Sequence, residues 1–63
     1  MRFHSTAHGE QNRIVFECHV FADSAGSASD KVKQQLQNNG IKEAVQVWSI
    51  EVRDDIATEL PII

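Results

Sequence analysis

The sequence predicts a small α+β domain of two layers, β-β-α-β in order, with one helix packed on one face of a three-stranded mixed sheet. Three observations carry that prediction. Residues 13–21 (RIVFECHVF) are dense in β-branched and aromatic side chains and alternate, so that Ile14, Phe16, Cys18 and Val20 share a face. Ala25, Ala28, Val32 and Leu36 recur at helical spacing. Residues 44–53 (AVQVWSIEVR) alternate again, with Trp48, Ile50 and Val52 on one side and Val45 and Val47 on the other.

Taken in order, residues 1–6 form a short first strand around Phe3. The polar, Gly-containing stretch 7–12 reads as the loop of an antiparallel hairpin into the second strand. Asp23 or Ser24 caps the helix by accepting hydrogen bonds from its first unpaired N–H groups. Gly40 suits the left-handed position that closes helices, and Ile41 after it packs back on the last turn. Gly26 in the first turn costs roughly 1 kcal/mol relative to alanine. The third strand follows. In the tail, 54–63, Ile56 and Leu60 stand at helical spacing until Pro61 ends any helix, so it reads as a turn of helix or an extended arm.

A strand–helix–strand passage makes strands two and three parallel through a right-handed crossover, with the first strand between them or outside. The covered face then carries Phe3, Ile14, Phe16, Cys18, Val20, Trp48, Ile50 and Val52. The opposite face carries Val15, Phe21, Val45 and Val47 among Glu17, His19, Ser49 and Glu51. One helix covers one face only, so the second apolar set needs a cover.

With 63 residues the chain makes one domain, core 1–53 and tail 54–63. Its 41% hydrophobic content argues against wholesale disorder, and no apolar run approaches the ~18 residues of a membrane span. The first residues lack the apolar core of a signal peptide, and a single cysteine suits a reducing compartment; both point to the cytoplasm. The net charge of −3 is uneven: residues 1–42 carry +1 and residues 43–63 carry −4. With Lys and Arg scattered and few in number, direct nucleic-acid binding is disfavoured.

Each chemical-looking group has a plainer explanation. His4, His8, Glu10, Glu17, Cys18 and His19 are metal-ligating types, but a four-residue spacing joins two ligands on a helix and not on a strand. Cys18 and His19, being neighbours on a strand, point to opposite faces. No CxxC or HExxH occurs. Cys18 lies on the core face, away from the exposed electropositive setting of a reactive thiolate. Asp54 and Asp55 read as a solvated turn, and residues 22–27 as an N-cap with no lysine placed to hold a phosphate.

These readings lead to a non-enzymatic interaction module with no cofactor and no metal. Its partner is a second copy, a larger protein with a basic surface, or both. In size and composition the chain is similar to short accessory proteins of phages and other mobile elements, a likeness that no motif carries. The expected contact residues are Val15, Phe21, Val45 and Val47 on the second face, with Ile56, Leu60 and Ile63 as tail anchors. Asp54, Asp55 and Glu59 would steer the approach. The alternative is metal or small-ligand binding through His4, His8, Glu10 or His19. The plainer fate of the tail is to fold back over its own domain.

Overall fold

The chain's computed structural model describes residues 1–42 and 46–63. It comprises β1 (Arg2–His8), a 3-10 turn (Glu10–Asn12), β2 (Ile14–Phe21), α1 (Ala25–Asn38) and β3 (Gln46–Val52). The predicted β-β-α-β order and the two-layer α+β class are as observed.

The helix obeys its local signals. Ser24 is the N-cap, its hydroxyl accepting from the Ser27 N–H at 3.2 Å. At the other end Gly40 has φ +75°. The Gly40 N–H donates to the Gln37 carbonyl and the Ile41 N–H to that of Leu36, both at 3.0 Å. This Schellman pattern satisfies carbonyls left open by the last turn, and it brings Ile41 onto the core. Ala28, Val32 and Leu36 are the buried stripe.

The strand order is β2-β1-β3, and β1 pairs antiparallel with both neighbours. The sheet is therefore not mixed. β2 and β3 run in the same direction without touching, because the crossover through α1 steps over β1, which fills the place between them. Both edges of β1 thereby gain a full antiparallel ladder.

Register decides the faces. Phe3, Ser5 and Ala7 pair with Val20, Cys18 and Phe16 on one side and with Glu51, Ser49 and Val47 on the other. These residues line the helix side of the sheet. The core cluster there is Phe3, Ala7, Cys18, Val20, Ala22, Ala28, Val32 and Leu36, with Val15, Phe16, Ile41, Val47 and Ile63 packed on it.

This corrects the sequence expectation for β3. Trp48, Ile50 and Val52 face away from the helix, and Trp48 and Ile50 are 58% and 68% exposed. Val47 and Ser49 take the covered positions instead. Spacing explains the choice: Ser5, Ala7, Ala28, Ser29 and Ser49 are small, so α1 lies close to the sheet. Hydroxyls then link the layers, Ser5 Oγ to Ser49 Oγ at 2.8 Å and Ser29 Oγ to Ser49 Oγ at 2.9 Å. An indole in that gap would force the layers apart.

Ile14 also departs from strict alternation. The β1–β2 register shifts between Ala7, opposite Phe16, and His8, opposite Ile14. The extra residue, Val15, turns toward the core and Ile14 becomes exposed.

Candidate interaction surface

The sheet face away from α1 is built from alternate residues of all three strands. Across the sheet its rows are Phe21/Arg2/Val52, His19/His4/Ile50, Glu17/Thr6/Trp48 and Ile14/His8/Gln46. Polar and apolar groups divide it by strand. β1 supplies an arginine, two histidines and a threonine; β3 supplies Trp48, Ile50 and Val52.

At the His8 end the surface is open. The His8 Nδ1–H donates to the Asn12 carbonyl at 3.2 Å, and Nε2 accepts from the Thr6 hydroxyl at 3.0 Å. These bonds hold the imidazole beside the Trp48 indole, with ring centroids 5.7 Å apart. The His4 Nε2–H donates to Glu17 Oε2 at 2.5 Å, and the His4 and His19 rings lie 5.2 Å apart.

At the other end the tail covers the face. Leaving β3 through a bend in which Arg53 donates to Asp55 at 2.7 Å, the chain travels to the outer edge of β2. Arg2, pointing away from the helix, donates through Nη2 to the Ile56 carbonyl beneath this crossing. On arrival, the His19 N–H donates to the Pro61 carbonyl and the Ile63 N–H to the His19 carbonyl, each at 2.8 Å. His19 and Ile62 thus form a parallel bridge beside β2. Arg2 and His19 are 5% and 6% exposed as a result, and among the described residues Arg2 Nε and His19 Nδ1 have no hydrogen-bond partner.

The expected contact residues divide accordingly. Val15 and Val47 belong to the core side, so they form no exposed patch, and β2 and β3 are too far apart in the sheet to bring them together at an interface. Val45 lies outside the described residues. Phe21 is exposed at the end of β2, its carbonyl accepting from Lys31 Nζ at 2.7 Å. Ile63 anchors the tail to its own core, Leu60 is half-buried, and Ile56 is exposed. Asp54, Asp55 and Glu59 are exposed.

The exposed apolar groups that sequence reasoning assigned to the core are Trp48, Ile50 and Ile14. A usable signal lay in β1, whose small Ser5 and Ala7 imply a close helix with no room for tryptophan.

Cys18 is fully buried and its thiol is pushed up by burial and by the Glu17 charge, the reverse of an activated thiolate. Among the described residues, no three His, Cys, Asp or Glu side chains are grouped to hold a metal ion. His4 and His19 come together, whereas His8 and Glu10 lie toward the opposite end. No described helix is long and apolar enough to cross a membrane. No protein-family model, curated protein or solved structure matches the chain.

Proposed function

We propose that this chain is a non-enzymatic interaction module whose partner is a second copy of itself, joined through the outer edge of β3. One observation carries the reading: β3 is an edge strand with no strand partner on its outer side among the described residues, and it exposes Trp48 and Ile50. The other sheet edge is covered by the chain's own tail. Natural edges are usually blunted by lysine, proline, a bulge or a cover. β3 (QVWSIEV) has none of the first three, and its single charge is Glu51.

The strand is also self-complementary. Antiparallel pairing of two β3 strands centred on Ser49 uses all seven residues. It sets Trp48 of each copy opposite Ile50 of the other, an aromatic–β-branched pair worth roughly 0.2–1 kcal/mol. It sets Glu51 opposite Val47, so like charges do not meet. A two-fold interface needs such self-matching.

The test is the solution mass from micromolar to millimolar concentration, by sedimentation equilibrium. The wild type should pass from one chain to two, and Ile50→Lys, altering an exposed side chain, should stay at one. A wild type that remains a single chain at millimolar concentration overturns the reading.

A further inference from the structure

We propose that residues 56–63 form a strap over the open sheet face that is released when His19 takes up a proton. Among the described residues, a handful of hydrogen bonds hold the strap. Arg2 Nη2 reaches the Ile56 carbonyl, and three backbone bonds join it to the edge of β2: His19 N–H to Pro61, Ile63 N–H to His19, and Phe21 N–H to Ile63. Ile63 adds an apolar anchor.

Beneath the strap sits an unusual pair. Among the described residues, Arg2 is a buried cation that donates to a backbone carbonyl and whose Nε is unsatisfied. His19 is equally buried, and its Nδ1 is unsatisfied. A neutral imidazole tolerates that position; an imidazolium places a second buried charge there, with an N–H that finds no acceptor.

The charged surroundings reinforce this. From β1, Arg2 and His4 face His19. From its own strand Glu17 faces it, but that carboxylate is already taken by His4 at 2.5 Å. On β3 the residue in the His19 row is the uncharged Ile50, and the strap's one charged side chain, Glu59, is exposed. Burial first, then Arg2 and His4, hold the His19 imidazole below its usual range, with Glu17 opposing. The closed strap is therefore fully stable above the ordinary imidazole pKa of about 6.5 and loses stability as pH falls below it. Opening frees the N–H groups of His19 and Phe21, and with them the second edge of the sheet.

Amide hydrogen exchange tests it, with rates corrected for intrinsic pH dependence and the amides of His19 and Ile63 compared with Val20 and Val32. Between pH 7.5 and pH 5, strap protection should fall by up to roughly 30-fold relative to the core amides, as expected for one group titrating near 6.5 when exposed. His19→Gln should abolish the pH dependence and His4→Gln should retain it. If His19→Gln does not fold, imidazole NMR titration of the wild type decides, with strap opening tracking the His19 ring. Unchanged protection at pH 5, the same loss in His19→Gln, or opening that tracks the His4 ring overturns the proposal.

Discussion

Replacing Ser49 with alanine removes a hydroxyl shared by two partners on different layers. Ser5 Oγ lies 2.8 Å from it and Ser29 Oγ 2.9 Å. Ser5 is fully buried, so its hydroxyl loses its partner with no water to replace it. Ser29 keeps a weaker contact to the Val47 carbonyl at 3.4 Å. Orphaning one buried hydroxyl costs about 1–3 kcal/mol, and the second partner adds little. A urea m-value near the small-protein lower end, about 1 kcal/mol/M, turns this into a midpoint drop of about 1–3 M at unchanged m. Adding Ser5→Ala removes the orphan itself, so the double variant should recover part of the loss; a double-mutant cycle measures the coupling. A solvent-facing serine would change stability by no more than about 0.5 kcal/mol. A Ser49→Ala midpoint within that margin of wild type refutes the assigned register of β3 and the close helix that explains it.

Further outcomes follow from local geometry and burial. Gly26→Ala should raise the thermal midpoint, because an added Cβ meets only Ser24 Oγ at 3.9 Å and helix propensity improves by up to about 1 kcal/mol; Gly40→Ala should lower it by a similar energy, since φ is +75° there. Cys18 should react with a thiol reagent only as fast as the domain opens, and with its folded thiol pushed up, stability should decline once pH passes about 8.5, where the unfolded thiol ionises. Labelling of the folded protein at the rate of a free thiol would refute that burial.

The helix was legible because its determinants are local. Ser24, the Ala28/Val32/Leu36 stripe, Gly40 and Ile41 lie within one stretch of chain, and each acts through hydrogen bonds or contacts a few residues away. β2 was legible for the same reason as far as Phe16, where the bulge at Val15 interrupts its alternation. β3 carried apolar residues on both parities, and an error of one residue sends Trp48 and Ile50 to the opposite face. The second apolar face was expected from the layer argument on Val15, Phe21, Val45 and Val47; Phe21 does lie exposed on the outer face, whereas Val15 and Val47 pack on the core.

The order of elements, the single helix and the surplus of apolar surface were determined by the sequence alone, since periodicity and capping act at short range. The tertiary structure decided the central place of β1, the face shown by Trp48, and the path of the tail across Arg2 to His19. Those depend on how closely α1 approaches the sheet and on which edge remains unpaired, distances that exist only once Ser5, Ser29 and Ser49 have met.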